Sequence, residues 1–200
     1  MKNLKSIAVV GVDGTGKSTV VQSILDYFGG DKAVVQYMGL REWETPLAQK
    51  CYSKKSAFWY RLARFATINE LHHRVYKYKN DQRIVVFDRY VDEQILQFRK
   101  HRKTIFGYVG ELLYKWSFGK RFYRPSLLFY MTCDLEVSIA RKDDIQSEDD
   151  IRRLKQNKTL MDAFYKDRPG VFCIDTTKLT IEETLNEVIS VIKEKKCFNI

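Results

Sequence analysis

The chain has 200 residues and a mass of 23.7 kDa, the size of one ordinary domain with room for a sizeable core. Apolar residues make up 44% and charged residues 30%, with 10 Gly and 3 Pro, which excludes intrinsic disorder and a collagen-like chain. Thirty-five basic against 25 acidic residues give a net charge of +10, so an anionic partner is expected: nucleic acid, a membrane surface or a small phosphate ester.

Short apolar runs alternate with longer stretches of helical period, the rhythm of βαβ units in a parallel sheet. The first strand is expected at 6–10 and is followed by a helix at 17–28, whose stripe is Val20, Val21, Ile24, Leu25 and Phe28 and whose end is Gly29-Gly30. A strand at 33–38 precedes one long helix at 56–79, with Phe58, Leu62, Phe65, Leu71 and Val75 on its apolar side. The third strand falls at 83–87, then helices at 91–102 and 105–118, and the fourth strand at 126–132. A short helix, a helix at 149–165, the fifth strand at 170–174 and a helix at 181–195 complete the chain. With no repeat and no linker, the reading is α/β: a doubly wound five-stranded parallel sheet with helices on both faces, as one domain over 1–200.

No apolar run reaches the roughly 18 residues of a membrane span, and Met1 to Lys5 lead into a strand rather than a signal peptide. Cys51, Cys133, Cys173 and Cys197 are scattered without a CxxC pair, which points to thiols in a reducing cytoplasm. Cys133 and Cys173 fall in or beside core strands and are expected to be buried and inert. His72 and His73 are adjacent, so they cannot share a helix face to bind a metal.

Gly11-Val12-Asp13-Gly14-Thr15-Gly16-Lys17-Ser18, followed by Thr19, fits G-x-x-x-x-G-K-[ST] at every fixed position. An apolar strand precedes it and an amphipathic helix follows, as a phosphate loop requires. The glycines let backbone N–H groups curl around a polyphosphate, and the helix N-terminus adds partial positive charge. Lys17 can then reach the β- and γ-phosphates, and Ser18 can offer a hydroxyl to Mg²⁺. Asp88-Arg89-Tyr90 closes the third strand, where ligands of a doubly wound sheet bind. There an Asp can orient Mg²⁺ or its waters and an Arg can grip a second phosphate.

Taken in order, these segments resemble the thymidylate kinases, nucleoside monophosphate kinases of the P-loop NTPase fold, over nearly the whole chain. The loop is close to that family's G-x-D/E-G-x-G-K-[ST]-T. Arg41-Glu42-Trp43-Glu44-Thr45-Pro46-Leu47-Ala48 echoes its R-E-P-G-G-T-P-L-A, Asp88-Arg89-Tyr90-Val91-Asp92 its D-R-Y-x-x-S, and Arg124-Pro125-Ser126-Leu127 its P-D-L strand. The resemblance implies an ATP-dependent, Mg²⁺-assisted phosphoryl transfer to the phosphate of a nucleoside monophosphate, dTMP or a relative. It implies that Gly11, Gly14, Thr15, Gly16, Lys17, Ser18 and Thr19 bind ATP, and that Ser18 and Asp88 serve the metal. Asp13 would hold the acceptor's sugar hydroxyl, Arg41 and Arg89 its phosphate, and Phe65 would stack on its base, with Asn69 and Gln94 alongside. Lys17, Asp88, Arg89 and Arg141 would be the catalytic set, Arg141 at the start of a lid over about 141–152, with Arg152 and Arg153 as its substitutes.

Three departures bear on the acceptor. Asn69 stands where the family reads thymine with an arginine, Trp43-Glu44 replaces Pro-Gly-Gly, and 143–150 is acidic where a lid should bring arginines. A kinase of the same fold acting on a sugar or glycan is therefore the second reading, and a nucleic-acid-binding NTPase with a vestigial acceptor site the third. The segment 99–124 carries eight Lys/Arg, the single acid Glu111 and seven aromatic residues. It is read first as a packing or homodimer face, then as a peripheral membrane contact, and last as a nucleic-acid surface.

Overall fold

The computed structural model describes residues 4–40, 42–54, 57–100, 105–119, 122–142, 147–195 and 198. They divide into two compact units, one comprising 37–81, 90–124 and the N-terminal end, the other 5–36, 82–89 and 125–200.

The second unit is built on a five-stranded parallel sheet in the order β2-β3-β1-β4-β5. Its strands are β1 (Ser6–Gly11), β2 (Ala33–Tyr37), β3 (Ile84–Asp88), β4 (Leu127–Thr132) and β5 (Val171–Asp175). All six residues of β1 and of β4 are buried, as continuous apolar runs should be in strands covered on both faces. The β5 edge strand is instead half-exposed. On one face α1 (Lys17–Phe28) and α8 (Ile181–Glu194) seal a core of Ile7, Val9, Val86, Phe129, Ile24 and Val188, among others. On the other face Tyr130 stacks on Tyr165 of α7 (Glu148–Tyr165), and its hydroxyl donates to Asp162 at 2.7 Å. The short α6 (Leu135–Ala140) links β4 to α7.

In the first unit, α2 (Pro46–Ser53) packs on α3 (Ala57–Tyr76), and α4 (Asp92–Lys100) packs on α5 (Ile105–Ser117). The pattern reading omits α2. Its start is nonetheless written in the sequence, since Thr45 caps the Ala48 N–H and Pro46 occupies the first turn.

Two expectations need revision. Phe65 does not lie on the buried side of α3, being 53% exposed; Ala63, Ala66, Glu70, Leu71, Arg74 and Val75 are the inner face. Cys173 is exposed, because β5 is the sheet edge. The acids Glu148, Asp149 and Asp150 form the first turn of α7 behind the Ser147 cap, where negative charge meets the positive end of the helix dipole. Their charge therefore has a helical explanation independent of any lid. Residues 143–146 lie outside the described part.

Candidate active site

The phosphate loop runs from the C-terminal end of β1 into α1, in the second unit. Two of its glycines leave no room for a side chain. A Cβ on Gly11 would come within 2.3 Å of the Met131 carbonyl oxygen. One on Gly14, whose φ is +83°, would meet the Ser138 carbonyl oxygen at the same distance. The start of α6 is thus packed against the loop, and Ser138 Oγ donates to the Asp13 carbonyl. Thr15 is buried and spends its hydroxyl on the Val12 carbonyl at 2.8 Å, so its side chain shapes the loop from within. Gly16 immediately precedes α1, and Ser18 and Thr19 are exposed on its first turn.

Lys17 is buried, at 6% exposure, and its ammonium donates to the Val12 carbonyl at 2.5 Å, 3.8 Å from Asp13 Oδ1. Because β3 lies beside β1, with Asp88 in register with Val9, the ends of the two strands bring Asp88 and Arg89 to the loop. The Arg89 N–H donates to the Val9 carbonyl at 2.9 Å, and Arg89 Nη2 donates to Asp13 Oδ1 at 2.8 Å. Arg89 achieves this with a φ of +72°, the single non-glycine positive φ among the described residues.

The two carboxyls here are shifted in opposite directions. Burial works against ionisation of Asp13, but Lys17 and Arg89 outweigh it and hold the group below the usual carboxylate range. Burial raises Asp88, Arg89 and Lys17 pull it back only partly, and the neighbouring Asp13 charge adds to the rise. The cations around Asp13 thus favour its anionic form, while burial disfavours ionisation of Asp88.

Arg141 caps the C-terminus of α6. Its guanidinium donates to the Thr176 hydroxyl at 3.0 Å and carbonyl at 2.9 Å, and lies 3.5 Å from the Gly14 carbonyl. It is therefore anchored between the end of β5 and the loop. Arg152 and Arg153 instead pair with Asp149 and Asp150 on the surface of α7.

Lys17, Asp13, Asp88, Arg89 and Arg141 are thus gathered around one loop. The remaining expected residues belong to the first unit. Phe65 and Asn69 are exposed one turn apart on α3, and Gln94 is half-buried on α4. Arg41 lies outside the described residues. His72 is half-buried, joins Ser117 Oγ at 2.7 Å and stacks on Phe118, a packing role as expected.

Pattern reading missed Ser138 and Thr176, which hold the loop and Arg141, and Glu70 and Arg74, which hold the chain before α2. The first two are short polar residues whose sequence positions give no signal. The second pair did carry one, an acid and a base four residues apart in phase with the buried alanines of α3.

The oxygen donors Ser18 and Asp88 suit Mg²⁺, which takes one or two protein oxygens and otherwise keeps water and substrate phosphate. Among the described residues no group of three or more His, Cys, Asp or Glu forms a metal cage, and no helix is long and apolar enough to cross a membrane.

Comparison with known proteins agrees with this geometry. The thymidylate kinase family model matches residues 9–188. A probable thymidylate kinase of Methanococcus aeolicus is 23% identical over 212 aligned positions, covering 96% of this chain and 97% of that protein. A solved thymidylate kinase of Candida albicans superposes with a TM-score of 0.69 at 16% identity, over 99% of this chain and 96% of its own. A deoxyadenosine kinase of M. mycoides, solved with dCMP and dCDP, gives a TM-score of 0.67 at 16% identity, over 94% and 99%. These structures establish the fold, and the findings favour a nucleotide kinase over the glycan and nucleic-acid readings. With the family pattern spanning all but the ends and the phosphate loop formed in full, the chain belongs to the thymidylate kinase family and is an ATP-dependent kinase.

Proposed function

We propose that the enzyme moves the γ-phosphoryl group of Mg·ATP to the phosphate of a nucleoside monophosphate, dTMP or a relative, giving the diphosphate. The observation that carries this reading is Arg89. A guanidinium held at the end of β3 beside the phosphate loop, on an exchangeable carboxylate partner, is built to grip a second phosphate next to the first.

The loop amides and Lys17 bind the β- and γ-phosphates, and Mg²⁺ on Ser18 and Asp88, when bound, neutralises charge on them. Arg89 and Arg41 orient the acceptor phosphate for in-line attack. Holding both reactants in register supplies most of the acceleration, since phosphoryl transfer needs positioning and charge neutralisation more than covalent chemistry. Asp13 receives the acceptor sugar, and Phe65, Asn69 and Gln94 receive its base. Arg141 acts from its anchored position on the donor side of the loop, which suits it to a fixed electrostatic role.

An ATP-dependent phosphorylation screen over the nucleoside monophosphates tests this reading, with thermal stabilisation by each acceptor as the binding readout. Turnover of one or more of them, lost in Lys17→Ala, is expected. A panel turned over no faster by the native chain than by Lys17→Ala refutes it.

The exposed side of α5 further suits a second copy of the chain. Ile105, Tyr108, Val109, Leu112 and Trp116 form a stripe 44% to 85% exposed. Such side chains present on the order of several hundred Å², approaching the roughly 800 Å² per partner of a standard interface. Lys115, the exposed cation of α5 beside the stripe, is paired with Glu111 at 2.6 Å, which favours protein over lipid headgroups or nucleic acid.

A further inference from the structure

Three consecutive carbonyls of the phosphate loop are met by side chains from β4, α6 and the end of β5, all within the second unit. The Asp13 carbonyl accepts from Ser138 Oγ. The Gly14 carbonyl has Arg141 Nη1 at 3.5 Å and Cys133 Sγ at 4.0 Å. The Thr15 carbonyl has the Thr176 hydroxyl at 3.4 Å, which is shared with the Thr132 carbonyl at 3.2 Å. A trans peptide is planar, so its carbonyl and the N–H of the following residue point to opposite sides. Holding these three carbonyls against β4, α6 and β5 therefore turns the N–H groups of Gly14, Thr15 and Gly16 away from them. Successive N–H groups presented in this way form a concavity that suits an anion.

The brace behind the loop is itself fixed. At the start of α6 the Asp134 N–H donates to the Thr177 hydroxyl at 2.9 Å, and that hydroxyl donates to Asp175 at 2.5 Å. At the end of α6 Arg141 donates to the hydroxyl and carbonyl of Thr176. Between these two anchors buried Ser138 meets the loop. Helix packing does not require a hydroxyl there, since alanine is smaller and the better helix former. A serine inside a helix ordinarily turns its hydroxyl to solvent or to the carbonyl four residues back. This one crosses instead to a loop 125 residues away in the chain.

We propose that Ser138 and Thr176 are positioning residues for ATP, holding the Asp13 and Thr15 carbonyls so that the loop N–H groups stay aligned on the polyphosphate. The proposal rests on the reading of the loop as the ATP phosphate site. Both residues act through the loop backbone, and neither requires a contact with the phosphates.

Titration calorimetry with inorganic tripolyphosphate, which needs no acceptor, provides the test on the native chain, Ser138→Ala, Thr176→Val, Thr176→Ser and Lys17→Ala. Ser138→Ala and Thr176→Val are each expected to weaken tripolyphosphate binding about three- to tenfold, the scale of one neutral hydrogen bond. Thr176→Ser keeps the hydroxyl and should stay within about twofold of the native chain. A merely structural role would lower the melting temperature of the ligand-free protein and leave the affinity unmoved well below that temperature. An affinity within about twofold of native in Ser138→Ala, or in Thr176→Val, thus overturns the assignment of that residue. Thr176→Ser binding as weakly as Thr176→Val overturns the role of the Thr176 hydroxyl. These outcomes leave the loop as the phosphate site. Tripolyphosphate that Mg·ADP does not displace from the native chain, or that Lys17→Ala binds as tightly, overturns the loop reading and this proposal with it. Ser138→Ala deletes a single oxygen and carries the test by itself should Thr176→Val fail to fold.

Discussion

Arg89 combines a functional side chain with a backbone conformation that its Cβ disfavours, and comparing Arg89→Gly with Arg89→Ala separates the two. Both variants remove the guanidinium and its 2.8 Å contact with Asp13, so that loss cancels between them. It is also small for stability, because Asp13 is 50% and Arg89 23% exposed, and ion pairs this solvated contribute about 0–1 kcal/mol. What remains is the backbone at a φ of +72°. A residue with a Cβ costs roughly 1–2 kcal/mol there, and glycine does not. Against this, glycine adds unfolded-chain entropy of about 0.4–1 kcal/mol. Arg89→Gly should therefore be the more stable variant by about 0.5–1 kcal/mol, a melting difference of roughly 1–4 °C in a chain of this size. Both variants should lose about 100-fold or more in kcat/KM for the acceptor, on the scale of one main electrostatic donor. Differential scanning calorimetry alongside kinetics checks both numbers. An Arg89→Ala protein as stable as Arg89→Gly refutes the strain argument, and retained activity in either refutes the assignment of Arg89 to the acceptor phosphate.

Lys17→Ala should lower kcat by about 100- to 1,000-fold with the fold retained by circular dichroism, because its ammonium is aimed at the loop and not at the sheet core. Asp88 has a raised carboxyl in the fold, so the native chain keeps that proton to a higher pH than the unfolded chain, and stability from this group falls as pH rises through its folded value. Asp88→Asn removes that slope, and urea titrations at a series of pH values just above the ordinary aspartate range should show the variant gaining on the native chain. Asp13 has the opposite sign: its lowered carboxyl contributes stability that is lost as pH falls through the folded value, and Asp13→Asn should flatten the acid limb. Trp116→Glu at the α5 stripe should convert a dimer to monomers in sedimentation equilibrium. A native chain already monomeric at high concentration, or one that pellets with anionic vesicles, refutes the second copy as occupant.

The parallel sheet and the donor half of the site were readable because their physics is local. A phosphate loop is one contiguous stretch, with its glycines, Lys17 and Ser18 at fixed spacing, and β1 and β4 are unbroken apolar runs. Asp88 and Arg89 were readable because a strand end is a recognisable position. The failures come from elements whose meaning is set by partners far away in the chain. Phe65 fits an apolar stripe on α3, yet the inner face is chosen by α2, which the pattern did not show, so small alanines and a charged pair face inward instead.

Positive charge is used in two physically different ways in this molecule, and the difference makes their contributions separable. Arg74 is buried, and its guanidinium is taken up by the Tyr37 and Gly39 carbonyls and the fully buried Glu70 carboxylate. Arg89 sits at 23% exposure on a half-exposed carboxylate, a pairing that a phosphate can replace at little cost. Salt screens exposed charges over about 8 Å at physiological ionic strength and buried ones far less. Raising salt should therefore weaken acceptor capture through Arg89 while leaving the chain before α2 in place. In the native protein the acceptor KM should climb with ionic strength. In Arg89→Ala that climb should flatten. A climb of equal steepness in the native chain and in Arg89→Ala would mean that exposed cations elsewhere, such as the basic runs at 50–80 and 99–124, attract the substrate from a distance.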